Sequence, residues 1–348
     1  MKIAMVSGCT GQDGSYLVKY LLSLGYKVIG LKRRTSLINT ERIDDIFEDN
    51  NFEMRYWSLF DDASIFRLMK EYMPDEFYNL AAQSHVKVSF ETPIETMDGI
   101  LNGTARILEA IRIINPKCRF YQASSSEMYG RNTQVPLDED SKMLPASRYA
   151  CAKLAAHHLT QNYREAYDLH ASSGILFNHE SPLRGETFVT RKVTMAAARI
   201  KMGLQNSLIL GNLDAKRDWG FAGDYVRGMH LMLQQNNPDD YVLATGETRT
   251  VREWVEAVFN AADMSIEWEG SGVHEVGLVN DKKVIFVSPV FFRPQEVPIL
   301  LGDSSKAKEK LGWVPEVSFK QLAEMMYNED MKKTNMEFSP TLVENYFE

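Results

Sequence analysis

An apolar run, Ile3-Ala4-Met5-Val6, leads directly into Gly8-Cys9-Thr10-Gly11-Gln12-Asp13-Gly14, and then into an amphipathic pattern through Tyr16, Leu17, Tyr20 and Leu21. A buried strand, a glycine turn and a helix start, in that order, commit a chain to opening a parallel α/β sheet. A dinucleotide pyrophosphate needs the same arrangement. Glycines let the backbone approach the phosphates, and the free N–H groups and dipole of the helix start stabilise their charge. The spacing is G-x-x-G-x-x-G rather than G-x-G-x-x-G, and glycine turns also join strand to helix in proteins that bind no nucleotide. Its position at the first strand favours the binding reading.

The following residues keep the same rhythm. Strands are predicted over Ile3–Val6, Lys27–Leu31, Met54–Leu59, Glu76–Leu80, Arg119–Ala123 and Ala171–Phe177. Helices are predicted over Gly14–Leu24, Ala63–Met73, Ile94–Ile114 and Arg148–Tyr167. Regular β-α alternation implies right-handed crossovers and a Rossmann-type doubly wound parallel sheet. After about Asn178 polar loops alternate with shorter elements, including Val193–Met202, Val226–Gln235 and Val251–Ala261. This predicts a dinucleotide-binding domain over residues 1–178, with some later segments returning to it. A smaller α/β substrate lobe over 179–332 and a tail over 333–348, ending in a loosely attached helix, complete the expected organisation.

Size and charge narrow the class. A chain of 348 residues exceeds the usual single-domain length. Its formal net charge of −8, with basic and acidic residues mixed, argues against a nucleic-acid partner. No apolar run is long enough to span a bilayer, and the first residues form a core strand instead of a secretory signal. Cys9, Cys118 and Cys151 are widely spaced and lack a C-x-x-C pattern, which fits a reducing cytoplasm and no metal site.

The end of the second predicted strand bears on the cofactor. An NAD site wants an Asp or Glu there for the ribose hydroxyls. This chain has Lys32-Arg33-Arg34-Thr35-Ser36 instead. Two guanidiniums stand where a 2′-phosphate could be gripped, so the residues favour NADP, although a solvated basic loop would look the same.

Tyr149-Ala150-Cys151-Ala152-Lys153 places a tyrosine and a lysine on one helix face. A nearby ammonium, joined by a cofactor's positive ring, would favour the tyrosinate and let Tyr149 act as a base on an alcohol. The spacing alone is common by chance. Upstream, Gln122-Ala123-Ser124-Ser125-Ser126-Glu127 ends a strand where such folds build active sites, though the serines would also serve as a capping turn and Glu127 as a solvated carboxylate.

Taken together, these features resemble the extended short-chain dehydrogenase/reductase superfamily. Longer phrases resemble its GDP-mannose 4,6-dehydratase family: Gly11–Leu17, Lys32-Arg33-Arg34, Asn79–Val86 with Ser89-Phe90-Glu91, and Phe177–Pro182 with Arg184-Gly185. Phe188–Lys192, Arg217–Gly220, Asp224–Val226, Ala244–Gly246 and Phe292–Val297 follow. The similarity runs to about Asp330. It implies that NADP takes hydride from C4 of the mannose ring, with Tyr149 as base on the C4 hydroxyl. Lys153 would hold the nicotinamide ribose, and Ser125 would bond the C4 oxygen. Glu127 would remove the C5 proton and assist loss of the C6 hydroxyl as water, before hydride returns to C6. The product would be GDP-4-keto-6-deoxymannose, on the way to GDP-6-deoxyhexoses. Related reductases and epimerases share the fold, the serine and the Tyr/Lys pair but do not need Glu127. A module that only senses NADP would not need all four of Ser125, Glu127, Tyr149 and Lys153.

By match, the cofactor site would comprise Gly8, Thr10, Gly11, Gln12, Asp13, Gly14, Arg33, Arg34, Ser36, Ser58, Leu59, Leu80, Ala81, Ala82, Gln83, Ser84, Lys153, His179 and Arg184. The substrate site would comprise Ser84, Ser125, Asn178, Val189, Lys192, Arg217, Arg293 and Glu296. The resemblance also implies a dimer through the helices containing Ile94–Ile114 and Tyr149–Tyr167. An arm through Asn39–Arg42 that reaches a neighbouring cofactor would extend the dimer to a tetramer. The chain departs from the family at Trp57-Ser58-Leu59, where Gly-Asp-Leu is usual, at Ser125, usually Thr, and at Glu95, often Tyr. The loss of an Asp at Ser58 removes a charged adenine contact.

Overall fold

The computed structural model describes residues 1–292, 297 and 299–337. Strands β1 (Ile3–Ser7), β2 (Lys27–Lys32), β3 (Phe52–Tyr56), β4 (Glu76–Asn79), β5 (Arg119–Ser125) and β6 (Ala171–Leu176) alternate with helices. The helices are α1 (Gln12–Ser23), α2 (Asp62–Tyr72), α3 (Val88–Glu91), α4 (Pro93–Met97), α5 (Gly103–Ile114) and α6 (Arg148–Tyr167). The second half adds β7 (Asn178–Glu180), α7 (Val189–Lys201), β8 (Leu208–Leu210), β9 (Lys216–Arg217), β10 (Trp219–Phe221), α8 (Ala222–Gln234) and β11 (Asp240–Leu243). After these come β12 (Arg249–Thr250), α9 (Val251–Ala261), β13 (Glu267–Glu269), β14 (Val276–Val279), β15 (Lys282–Val287), α10 (Ser305–Leu311) and α11 (Phe319–Glu337).

The main sheet has seven strands in the order β11-β6-β5-β4-β1-β2-β3, paired parallel throughout. Its strand order reverses between β1 and β4, which opens a crevice beyond their carboxyl ends. Alternate residues of β1 face opposite layers. Ala4 and Val6 pack with Leu17 and Leu21 of α1 and Met229 and Met232 of α8. Met5 packs with Leu68 of α2 and Ile107 and Ile111 of α5. Burying both faces explains why these strands read as continuous apolar runs. A second core joins Val193, Trp219, Trp254, Phe259, Ile285, Leu322 and Met326, so α7, α9 and α11 close over the four-stranded sheet β13-β14-β15-β8.

Several elements differ from the sequence reading. The helix predicted over Ile94–Ile114 is broken: α4 passes through a π-helical turn at Asp98–Asn102 before α5 begins at Gly103. One extra residue in a turn rotates the buried stripe by about 100°, and a periodicity count does not register so short a slip. The third strand ends at Tyr56, so Trp57–Leu59 lies beyond it. Strand β11, unforeseen because it has only four residues, joins the edge of the main sheet, and α8 packs on α1. Helix α11 runs through the start of the predicted tail to Glu337, with Thr334 buried, and residues 338–348 of that tail lie outside the described residues. Among the described residues no helix is long and apolar enough to cross a membrane.

Candidate active site

The turn after β1 makes the floor of a cleft of about 610 Å³ at the sheet's carboxyl end. Gly8 takes φ +70°, a left-handed conformation that favours glycine. A Cβ on Gly14 would lie 2.1 Å from the Gly8 carbonyl oxygen, so only glycine lets α1 start this close to the strand. Gly11 at the N-cap offers no side chain to the first N–H groups of α1. They remain available to an anion, and this fits a dinucleotide pyrophosphate. Beside the turn, Ser7 Oγ accepts from the N–H groups of Leu80 and Ala81 at 2.9 and 3.0 Å and donates to Asn79 Oδ1 at 3.0 Å. Ser7 thereby fixes the loop of Leu80, Ala81, Ala82 and Ser84 along the cleft wall. Sequence reasoning missed this role, because a serine ending a strand carries no distinctive local signal.

The catalytic candidates meet on the opposite wall. Ser125 ends β5, and its Oγ accepts from the Glu127 N–H at 3.2 Å. Ser147 caps α6 through the Ala150 N–H, which sets the helix start so that Tyr149 and Lys153 face β5. Ser125, Glu127, Tyr149 and Lys153 are all buried and all line the cleft. Lys153 Nζ donates to the Ala123 carbonyl at 2.7 Å and lies 5.7 Å from the Tyr149 ring centre. Burial pushes the Tyr149 phenol up to about 12, against a hydrogen bond with Ser125 that lowers it. Burial also brings the Lys153 ammonium down to about 8. Desolvation of the phenolate outweighs the Ser125 hydrogen bond and the Arg184 charge that lower it, so the phenol is the form these protein groups favour.

A strap from β7 crosses the glycine turn. His179 Nε2 lies 2.9 Å from Asp13 Oδ2, Gln12 Nε2 donates to the His179 carbonyl at 3.0 Å, and Ser181 Oγ donates to Gln12 Oε1 at 2.9 Å. Burial raises Asp13, but the His179 charge and hydrogen bond prevail and hold it at about 2. His179, lowered by burial, is raised on balance by Asp13. Arg184 Nε lies 3.0 Å from Glu180 Oε2 as an ion pair, and its guanidinium sits 3.8 Å above the Phe188 ring. Arg42 also lines the cleft. Its Nε donates to the Leu183 carbonyl at 2.9 Å and its Nη1 to the Thr10 carbonyl at 3.3 Å. Arg42 is the last residue of the arm in the sequence reading, and these two bonds tie that end of the arm to its own chain.

At the far end of the cleft, Asn178, Val189, Lys192 and Arg217 come together. Lys192 Nζ donates to the Ile209 carbonyl at 2.6 Å and lies 4.1 Å from the Phe291 ring centre. Arg217 is buried and donates to the Lys216 and Val297 carbonyls at 2.9 and 2.7 Å. Trp219 packs against Trp254, with ring centres 5.7 Å apart, while also lining the cleft. Other candidates stand apart from the lining. Thr10 and Gln83 are half-buried beside it, and Arg33, Arg34 and Ser36 are exposed on the segment after β2. Ser58 Oγ accepts from the Phe60 N–H at 3.2 Å, and Leu59 packs against Gly103 of α5. Arg293 and Glu296 lie outside the described residues.

A family model for GDP-mannose 4,6 dehydratase matches residues 5–326. A GDP-mannose 4,6-dehydratase of Sinorhizobium fredii is 53% identical over 339 residues, covering 95% of this chain and 97% of its own. The UDP-glucose 4-epimerase of Thermus thermophilus, solved with NAD, superposes with TM-score 0.79 at 25% identity, over 94% of this chain and 98% of that one. RMD from Pseudomonas aeruginosa, solved with NADPH, superposes with TM-score 0.76 at 22% identity, over 96% of this chain and 100% of that one.

Proposed function

Since the chain belongs to the GDP-mannose 4,6-dehydratase family and converts GDP-mannose to GDP-4-keto-6-deoxymannose and water, we propose that it does so with NADP and with Ser125, Glu127, Tyr149 and Lys153 as its working side chains. The observation that carries this reading is Glu127, buried in the cleft two residues beyond Ser125 and close enough to Tyr149 to raise its pKa. Oxidation of an alcohol needs one base. Elimination of water from the neighbouring carbons needs a second acid/base, and Glu127 supplies it.

A nicotinamide cofactor bound in the cleft would supply the redox chemistry, as acceptor and then donor of one hydride. Gly8, Gly11, Gly14, Ala81, Ala82, His179 and Arg184 would hold it. Arg33 and Arg34, exposed on the segment after β2, favour the 2′-phosphate of NADP over NAD. Ser125 donates to the C4 oxygen while Tyr149 Oη takes its proton. Lys153, held by the Ala123 carbonyl, keeps Tyr149 in place and adds the positive charge that favours its phenolate before the C4 proton is taken. The C4 ketone acidifies C5, Glu127 takes the C5 proton, and the same carboxyl protonates the departing C6 hydroxyl. As hydride reaches C6, C5 takes up one proton, which balances the one Tyr149 removed from the C4 hydroxyl. Lys192 and Arg217 face the diphosphate, with Asn178 and Val189 near the nucleoside.

Two chains pair through the run from α4 to α5 and through α6, which is supported by the exposed Ile94, Ile113 and Tyr167. The segment through Leu37 and Ile38, exposed at 79% and 84%, extends the pair to a tetramer. The three free cysteines fit a reducing cytoplasm. Incubation with GDP-mannose and NADP, followed by mass analysis, tests the reading. A product lighter by one water is expected, and a product of unchanged mass would point to an epimerase instead.

A further inference from the structure

The catalytic helix carries a third polar residue in line with the first two. Tyr149, Lys153 and His157 follow at intervals of four and share one face of α6. The second and third of them bond to consecutive residues at the end of β5, next to Ser125, which lines the cleft with Tyr149. Lys153 donates to the Ala123 carbonyl at 2.7 Å, and His157 Nδ1 lies 3.0 Å from the Ser124 hydroxyl. His157 and Ser124 are 2% and 3% exposed; Ser124 belongs to the cleft wall, while His157 lies behind it, outside the lining.

The next turn of α6 fixes the imidazole. Gln161 Nε2 donates one hydrogen to Asp240 Oδ2 at 2.8 Å and the other to His157 Nε2 at 3.2 Å. His157 Nε2 is then an acceptor, so the proton of the neutral ring sits on Nδ1 and is donated to Ser124 Oγ. Burial keeps the ring neutral, lowering it to about 4. Asp240 is held by Arg164 at 2.9 and 3.0 Å and by the Ser173 N–H at 3.0 Å, which anchors the chain of bonds in β6 and β11.

We propose that His157, through Ser124, is a positioning residue that sets the distance between the catalytic face of α6 and the Ser125–Glu127 strand end. The proposal rests on the reading of Tyr149 and Ser125 as catalytic. Lys153 and His157 each bond α6 to the end of β5, so removing the His157 bond leaves Lys153 to hold that spacing. A displacement of a fraction of an ångström between Tyr149 and Ser125 spoils a shared approach to one oxygen while leaving the distant nucleotide contacts unchanged.

The test compares His157→Leu, His157→Asn, Ser124→Ala and the double variant Ser124→Ala/His157→Leu. In His157→Leu and Ser124→Ala, kcat is expected to fall by about 10–100-fold, with the KM for GDP-mannose and the Kd for NADP unchanged. His157→Asn, whose amide reaches the Nδ1 position, should recover most of kcat. The double variant should lose no more than either single one, because both remove the same bond. Turnover near wild type in Ser124→Ala, additive losses, or equal weakening of kcat and NADP binding would each overturn the proposal, and Ser124→Ala alone decides should His157→Leu fail to fold. Tyr149→Phe, measured alongside, separates the two readings. If it is inactive while Ser124→Ala is normal, only the positioning role falls. If it is fully active, the catalytic assignment falls and the positioning role with it.

Discussion

His179 Nε2 and Asp13 Oδ2 lie 2.9 Å apart across the glycine turn, joining the second half of the chain to the first turn of α1. Asp13 is lowered to about 2 and His179 is raised, so the two pKa values move apart. The Asp13 contribution to stability is complete above its unfolded value near 3.8 and is lost as pH falls toward 2. The His179 contribution is complete below its unfolded value near 6.5 and is lost as pH rises through the raised folded value. The pair therefore stabilises most between about pH 4 and 6.5. In Asp13→Asn, NMR titration of His179 should show its pKa falling below that of the wild type. An unchanged value would mean that Asp13 does not govern it.

Gly14→Ala tests the cofactor cradle, because the added methyl would sit 2.1 Å from the Gly8 carbonyl oxygen. The turn must open, at a cost of about 1–3 kcal/mol. A lower Tm and weaker NADP binding are expected together, by calorimetry and fluorescence titration. Normal NADP affinity would show that the turn tolerates a shift the geometry forbids.

Glu127→Gln should stop release of water while leaving NADP binding and folding intact, since an amide neither takes the C5 proton nor returns it. Loss of a positioned acid/base costs about 10²–10⁴-fold in rate. Mass analysis of product formation checks this, and unchanged turnover would remove Glu127 from the mechanism.

Lys153→Met sets stability against function. Lys153 is held near 8, so its charged form is disfavoured in the fold, and stability rises with pH between about 8 and 10.5 as that cost disappears. At pH 7 the burial cost is on the order of 3 kcal/mol. The lost bond to the Ala123 carbonyl offsets about 1.5 kcal/mol of it. Denaturant melts should show the variant more stable than wild type by about 1–2 kcal/mol and inactive. A less stable variant would mean that the carbonyl bond dominates.

Arg33 and Arg34 are both exposed on the segment after β2. Replacing both with alanine should weaken NADP far more than NAD in parallel titrations. Equal losses for the two cofactors would make the cluster a surface feature.

The sequence by itself determined the alternating strands and helices, the glycine turn and the pairing of Tyr149 with Lys153. Each is written in spacings of two to seven residues, which backbone geometry translates directly into strand faces, helix faces or turns. The short β11 and the π turn at Asp98–Asn102 escaped because their patterns are too brief to stand out from loop or helix. Only the tertiary structure decided which distant groups complete the site. Arg191 binds Asp330, 139 residues away, and its Nη1 donates to the Pro182 and Arg184 carbonyls of the strap. Arg42 reaches Leu183, and Asp240 reaches Gln161 and Arg164 on the catalytic helix. A buried charge must find a partner, but local sequence does not specify where along the chain that partner lies, because packing of the two cores brings the segments together.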